Sequence, residues 1–169
     1  MSDGVDFDEF YSASFRRVVG QVYAMTGDLA EAEDSVQEAF ARAWQRWRKV
    51  QTYAEPEAWV RTVAFRISVS AWRKTTNRFK AHQRAGGPGT QPELAPDRLA
   101  LIGALRRIPA DQRRAIVLYH LVGMSVEEIG QETGTATGTV KTRLARGRRA
   151  LAPLVSEFAE AATDPKTRA

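Results

Sequence analysis

The sequence predicts an all-α protein of two small helical domains joined by a flexible linker, with a helix-turn-helix in the C-terminal domain. Three observations support this fold class. Apolar residues recur every three or four positions over long stretches, and no run alternates as a strand would. Glycine and proline crowd the segment 86–96 and rule out a regular element there. The stretch 124–151 combines a capped helix start, a glycine stop and a second, basic helix.

The N-terminal domain, residues 1–77, is predicted to contain three helices. The first covers about 7–26 and is ended by Gly27. The second covers about 29–49, and its acidic early turns and basic late turns match the helix dipole. A proline at a first helical position opens the third, over about 56–74. The apolar faces of these helices are expected to form one core, which would include Trp44, Trp47 and Trp59.

A linker over 78–96 is expected to separate this domain from the second one, residues 97–160. The second domain should begin with a helix capped by Asp97, followed by a helix starting at Pro109 and burying Leu121 along with its other apolar residues. A disordered tail is predicted for 161–169.

The helix-turn-helix begins at Ser125, which is a good N-cap, and Glu128 completes a capping box with it. Gly134 ends the first helix after a few turns. The second helix restarts around Val140 and is expected to reach about Ala159, although Pro153 should kink or end it. Contacts between the two helices are expected at Ile129, Val140 and Gly130.

Charge is distributed unevenly along the chain, whose formal net charge is +5. Residues 55–90 carry 7 bases and 2 acids, and residues 135–152 carry 5 bases and no acid. Two separated basic segments indicate two contacts with a polyanion such as nucleic acid. The alternative for the C-terminal segment is an ordinary helical hairpin with a solvated basic face.

Several function classes are excluded or disfavoured. The chain has no cysteine, which excludes disulfides, cysteine-based zinc sites and thiol redox sensing within it. The sequence lacks a phosphate-binding glycine loop, a metal-spaced cluster and a nucleophile motif, so it predicts no enzyme activity, cofactor or small-molecule substrate. It also lacks an apolar run long enough to span a membrane and a signal-peptide start, and we therefore expect a cytoplasmic protein without membrane insertion.

In the first basic segment, cations alternate with aromatic residues, as a surface that holds phosphates and stacks unpaired bases requires. The alternative is that its tryptophans belong to the core.

Three segments resemble the extracytoplasmic function (ECF) sigma factors of bacterial RNA polymerase. They are AEDSVQEAFARAW, PEAWVRTVAFRISVSAWRK and IPADQRRAIVLYHLVGMSVEEIGQETGTATGTVKTRLARGRRAL, in this order along the chain. The resemblance covers about 7–155, and the sequence of the C-terminal segment is most similar to that of an actinobacterial, SigE-like group. It implies a sigma factor that binds core polymerase and directs promoter-specific initiation.

The resemblance also implies roles for individual residues. The second helix is expected to bind the clamp helices of the beta prime subunit through Asp34, Gln37, Glu38 and Arg42. The −10 element, melted and with a base flipped out, is expected to contact Trp59, Arg61, Arg66, Arg73 and Lys74. The −35 element, as duplex DNA, is expected to contact Thr137, Thr139, Lys141, Thr142, Arg143 and Arg146 in its major groove. The beta flap is a further expected partner.

Two departures from the family pattern affect these expectations. Arg66 stands where many relatives have asparagine, which leaves the base preference at the −10 element open. Thr133 and Thr135 stand where most helix-turn-helix sequences bury aliphatic residues, so looser packing of the turn is expected. Without a further domain after residue 160, regulation would come from an anti-sigma factor, from expression level or from another source.

Two other hypotheses differ in kind. A stand-alone helix-turn-helix regulator predicts a dimer that binds duplex DNA tightly without polymerase. An enzyme predicts turnover of a small substrate, for which the sequence offers no site.

Overall fold

The computed structural model describes residues 6–79 and 96–163, and their side chains over 6–74 and 97–156. Over these ranges the chain is helical and contains no strand, which confirms the predicted fold class. None of the helices described is long and apolar enough to cross a membrane. The helices are α1 (Phe7–Thr26), α2 (Leu29–Gln45), α3 (Trp47–Val50), α4 (Pro56–Phe79), α5 (Pro96–Arg106), α6 (Ala110–His120), α7 (Val126–Thr133) and α8 (Thr137–Thr163).

The chain divides into two compact units, Met1–Gln91 and Pro92–Ala169. The division falls inside the segment predicted as a linker. Of that segment, α4 includes the first two residues and α5 the last, and residues 80–95 lie outside the described part. The domain limits therefore stay predictions.

In the first unit, α1, α2 and α4 pack against one another as a three-helix bundle. Polar side chains also link these helices inside the bundle. Ser68 of α4 donates a hydrogen bond to Ser35 of α2 at 2.8 Å, and both residues are buried. The apolar core that surrounds them is supplied mainly by Val18, Val22, Ala32, Val36, Ala39, Ala43, Val60 and Ala64, none of which is measurably exposed.

One end of the bundle is closed by an aromatic cluster. Phe40 of α2 is 2% exposed and lies 5.1 to 6.4 Å, between ring centroids, from four rings of α1: Phe7, Phe10, Tyr11 and Phe15. Trp47 stacks on Phe10 with centroids 5.0 Å apart. Such pairs contribute about 0.5–1.5 kcal/mol each beyond the burial of their surface, so this cluster anchors α1 on α2.

The second helix is shorter than predicted. It ends at Gln45, because Arg46 leaves helical geometry (φ −121°, ψ 20°), and the four-residue α3 follows. Trp47, the first residue of α3, packs into the aromatic cluster as expected of a core residue. The core assignment of Trp44 was wrong, since this side chain is 66% exposed. Trp44 lies about 110° around the helix from the middle of the buried face of α2, which is too far to reach the core.

In the second unit, α8 packs against α5, α6 and α7. Gly147 lets α8 approach α6 closely, since a Cβ placed on it would lie 2.9 Å from Cγ1 of Ile116. No motif in the sequence pointed to this contact. The core of the unit consists mainly of Ala104, Leu105, Ile108, Ala115, Ile116, Val117, Leu118, Ile129, Val140 and Leu144.

Some boundaries of the second unit differ from the prediction. Pro109 is the N-cap of α6 rather than its first residue, and Leu121, predicted to be buried, is 48% exposed because α6 ends one residue before it. The last helix begins at Thr137 and runs through Pro153 to Thr163. Residues 161–163 are therefore helical, and the remainder of the predicted tail lies outside the described residues.

The helix-turn-helix has the predicted local geometry. The Ser125 side chain accepts the amide of Glu128 while the Glu128 carboxylate accepts the amide of Ser125, which confirms the capping box. Gly134 adopts the left-handed conformation (φ 64°) that favours glycine and ends α7. The turn is three residues long, 134–136.

The turn is also tightly packed. A Cβ on Gly130 would lie 2.8 Å from the backbone oxygen of Thr135, so the turn folds directly over this glycine. Ile129 and Val140 are each 1% exposed, as expected for the contact between the helices. Thr133 and Thr135 are half-buried, and the Thr133 hydroxyl donates to the Ile129 carbonyl at 2.6 Å. The looser packing expected at these two threonines stays a prediction.

Gly130→Ala is expected to destabilise the second unit by about 1–3 kcal/mol, because the new methyl group meets a backbone oxygen that cannot move without opening the turn. Gly138→Ala is the matched control in the same unit, since nothing lies within 4 Å of its added Cβ. The control should be neutral or stabilise α8 by up to about 1 kcal/mol. Urea unfolding followed by far-ultraviolet circular dichroism measures both; equal effects of the two changes would contradict the packing of the turn.

The capping box also predicts an acid dependence. The hydrogen bond from the Ser125 amide, followed by that with its side chain, lowers the pKa of Glu128. Because the folded state favours the carboxylate, the box stabilises α7 above the ordinary glutamate pKa, and this stabilisation is lost as the pH falls through the lowered value. The protection factors of the α7 amides, which correct for the slower intrinsic exchange in acid, should therefore fall in acid. Glu128→Gln should remove the dependence and Glu127→Gln should keep it; the reverse result would refute the box.

Candidate nucleic-acid interface

The outer face of α8 carries most of the residues predicted to contact duplex DNA. Thr137, Thr139, Lys141, Thr142 and Arg146 are all exposed. With Val140, Leu144 and Gly147 buried, the face opposite the core is centred near Thr142 and Arg149. The Thr142 hydroxyl donates to the Gly138 carbonyl at 3.0 Å and keeps its lone pairs toward solvent as acceptors.

This face is strongly basic, because 135–152 holds no acid. Its exposed cations are Lys141, Arg146, Arg148 and Arg149. Arg148 is directed along the flank toward the end of α6, where its guanidinium lies 5.0 Å from the ring centre of Tyr119 and its Nε donates to His120 Nε2 at 3.2 Å. Burial, and then the charge of Arg148, lowers the pKa of His120. The remaining three cations face solvent and are suited to phosphates and base edges.

Arg143 differs from the other predicted DNA-contacting residues. It is half-buried on the side of α8 that faces α6, where its Nε lies 3.1 Å from Oδ2 of Asp111. Its Nη1 donates to the hydroxyl of Thr135 in the turn, at 3.2 Å. The guanidinium of Arg143 is therefore bonded to other residues of the protein, Asp111 and Thr135. No signal in the sequence links positions 111 and 143, since they belong to different helices.

The basic surface of the first unit is smaller than predicted. Arg66, Arg73 and Lys74 are exposed on α4, as expected. Trp59 is half-buried, so its exposure is intermediate between that of a core residue and that of a base-contacting residue, the two roles predicted for it. Trp72, on the same helix, is 68% exposed.

Arg61 does not belong to this surface, and its predicted exposure was wrong. It is 3% exposed, and its Nη1 donates to Oε1 of Gln21 in α1 at 3.4 Å. The cause is the register of α4. Its buried stripe consists of Val60, Arg61, Ala64 and Ser68. The core face expected from the sequence was Trp59, Val60, Val63, Ala64, Ile67 and Ala71, of which Val60 and Ala64 are buried and the others half-buried. A buried guanidinium that bridges two helices has a structural role.

The outward face of α2 brings together the residues predicted to bind polymerase. Asp34, Gln37, Glu38 and Arg42 are all exposed on it, opposite the buried face of the helix. Glu38 and Arg42 form a surface ion pair one turn apart, with Nε 2.8 Å from Oε1. The exposed Trp44 extends this face toward the end of the helix, and its position on the helical wheel is the signal that could have placed it there.

No groups of three or more histidine, aspartate or glutamate side chains that could hold a metal ion occur in the described ranges. A shallow cavity of about 380 Å³ lies where α2 gives way to α3. It is lined by Trp44, Gln45, Arg46, Trp47, Arg48 and Lys49. This lining includes three cations and no acid or nucleophile, so it offers binding contacts rather than catalytic groups.

Comparison with known proteins gives matches to both units. Residues 10–78 match the family described as Sigma-70 region 2, and residues 98–151 match Sigma-70, region 4. The ECF RNA polymerase sigma factor SigL of Mycobacterium tuberculosis is 36% identical over 141 residues, covering 79% of this chain and 80% of SigL. SigW of Bacillus subtilis, another ECF sigma factor, is 30% identical over 145 residues, covering 76% and 78%.

Among solved structures, the sigma factor RpoE from Bartonella quintana, in complex with the anti-sigma factor NepR, is similar with a TM-score of 0.74 at 25% identity. The similarity covers 89% of this chain and 97% of RpoE.

Arg61→Ala is expected to destabilise the first unit by about 2 kcal/mol, because it removes a buried charged donor and leaves Gln21 without that partner. Arg66→Ala, on the exposed side of the same helix, should change stability by no more than about 0.5 kcal/mol. All four tryptophans lie in this unit, so fluorescence during urea unfolding reports on it selectively. Unchanged stability of Arg61→Ala would show that its burial is not maintained in solution.

Proposed function

The chain belongs to the extracytoplasmic function sigma factors of bacterial RNA polymerase, and from this we propose that each unit makes its own contact with promoter DNA. As a member of this family, it binds core polymerase and promoter DNA and directs transcription initiation. The synthesis of RNA is assigned to the polymerase, and no catalytic group, metal or cofactor is assigned to this chain. The proposed place of action is the cytoplasm.

The observation that carries the proposal is the pair of exposed basic helices, one in each unit. In the second unit, α8 is assigned to the major groove of the −35 element, with Thr139, Thr142 and Arg146 toward the bases. Lys141 and Arg149 are assigned to phosphates, which attract cations without regard to sequence.

In the first unit, Arg66, Arg73 and Lys74 are assigned to the backbone of the opened −10 element, and Trp59 to its bases. Flipping a base out of the stack costs a few kcal/mol, which stacking on an aromatic ring and phosphate contacts must offset. Arg61 is removed from this group, because its guanidinium is held inside the bundle.

The outward face of α2 is assigned to core polymerase. It combines polar side chains able to form specific hydrogen bonds with one large exposed aromatic, Trp44. Binding energy in protein interfaces concentrates on such aromatic residues, with tryptophan the most enriched. A regulator that covered this face would block polymerase, and we propose an anti-sigma factor as that regulator, as RpoE has in NepR. Assignment to a SigE-like subgroup also stays a prediction.

Transcription in vitro tests the proposed function. The purified chain is added to core polymerase free of other sigma factors, together with a library of random upstream sequences. The expected result is initiation from a subset of templates that share two elements separated by a spacer. Absence of binding to core and of transcription from any template would refute the proposal, and tight duplex binding by a dimer without polymerase would support a stand-alone regulator instead.

Glu38→Lys and Trp44→Ala are each expected to weaken binding to core polymerase by about 1–3 kcal/mol, or roughly 5- to 150-fold, because each removes a contact of the α2 face. Trp72→Ala is the matched control. It removes an equally exposed tryptophan of the same unit, and core affinity should be unchanged. Fluorescence anisotropy of the labelled chain with core polymerase measures all three. Equal losses for Trp44→Ala and Trp72→Ala would argue against the α2 face as the specific site.

A further inference from the structure

Arg143 lies on the flank of α8 that faces α6. Helical geometry places it about 70° from the middle of the buried face, whereas Thr142 and Arg149 lie about 170° from it. Its side chain is 30% exposed, and its Nε lies 3.1 Å from the carboxylate of Asp111 in α6. Its Nη1 donates to the hydroxyl of Thr135 at 3.2 Å. The guanidinium thus connects three segments: α6, the turn and α8.

Each of the two acceptors is itself fixed. The other carboxylate oxygen of Asp111 accepts the backbone amide of Gln112 at 2.9 Å, which orients the side chain at the start of α6. Thr135 donates its amide to the Gly130 carbonyl at 2.9 Å, and its hydroxyl donates to the Thr133 carbonyl at 3.4 Å. The resulting chain of bonds runs from α6 through Arg143 and the turn to α7.

These bonds compete with base readout. An arginine binds a guanine with two nitrogens on one edge of its guanidinium group, either Nε with Nη2 or Nη1 with Nη2. In Arg143, Nε is committed to Asp111 and Nη1 to Thr135, so each edge already has one nitrogen engaged within the protein. Reading a base with the Nε edge would break the bond to Asp111, and reading it with the other edge would require Nη1 to serve both Thr135 and the base.

We infer that Arg143 is a positioning residue, which fixes the angle of α8 against α6 and the turn, and that it does not read promoter bases. The specificity of α8 then comes from Thr139, Thr142 and Arg146, which lie farther from the core. This inference rests on the proposed function, because it assigns roles within the −35 contact. It departs from the expectation, drawn from sequence resemblance, that Arg143 contacts the −35 element.

The first test measures base preference. Holoenzyme is assembled from the full chain and core polymerase, and its affinity is measured on a promoter selected from the random library and on every single-base variant of its −35 element. Arg143→Ala should lower the affinity for the selected promoter about five- to tenfold, and the factor should be the same on every single-base variant. Arg146→Ala should instead change the ratio between bases at one or two positions. Loss of discrimination at one position in Arg143→Ala would overturn the inference.

The second test asks whether Asp111→Asn weakens or strengthens −35-dependent binding. If Asp111 anchors a positioning residue, this change weakens −35-dependent binding as Arg143→Ala does, and the double variant is no weaker than either single one. If Arg143 reads bases, removing its competitor leaves binding unchanged or strengthens it. Glu127→Gln removes the same charge from an exposed site of the same unit and corrects for the general gain in attraction to DNA.

A third measurement separates this inference from the proposed function, because it requires neither polymerase nor DNA. Amide hydrogen exchange of the full chain should accelerate at Thr135 and Val140 in both Arg143→Ala and Asp111→Asn. This acceleration should be smaller at high salt, because salt already weakens the partly exposed ion pair in the unchanged chain. Unchanged exchange at these amides would overturn the anchoring role. If no promoter is selected from the library, the proposed function fails, and the exchange result still decides whether Arg143 holds the turn.

Discussion

The close packing of α8 on α6, where Gly147 lies against Ile116, determines which side of the basic helix remains open. A helix that approaches so closely must present small or apolar residues to its neighbour, and Val140 and Leu144 of α8 are buried as well. Once they are buried, the side chains opposite them are exposed as a consequence of helical geometry. The surface proposed to bind duplex DNA in the second unit is therefore a consequence of its core.

The same constraint explains why the cations of α8 have different roles. Those on the open side, such as Arg146 and Arg149, have no acid of the helix near them and face solvent. The two on the flanks are bound within the unit: Arg143 at the turn and Arg148 at the far end of α6, beside Tyr119 and His120. Arginine suits both uses, because its fork of donors can satisfy fixed acceptors or reach a polyanion.

In the first unit, polar contacts inside the bundle have a comparable effect. The buried bond between Arg61 and Gln21 joins α4 to α1, and the bond between Ser68 and Ser35 joins α4 to α2. Buried polar groups must find their partners, so these bonds restrict the register in which the three helices can pack. That register places Arg66, Arg73 and Lys74 outside and leaves uncovered the outward face of α2, which is proposed to bind polymerase.

The sequence by itself determined the helical class, the capping box, the glycine stop at Gly134 and the two basic segments, because each follows from local propensity or from periodicity along one helix. Family membership likewise followed from the order of short motifs. The exposure of Trp44 could also have been read from its position on the helical wheel of α2. The tertiary structure decided what no single helix specifies: that Arg61 is buried and that Arg143 pairs with Asp111. Periodicity places a residue on a helix face within a few tens of degrees, and a long side chain near the border of the buried face can turn either way. Which way it turns depends on the partner that the neighbouring helix offers, which is Gln21 for Arg61 and Asp111 for Arg143.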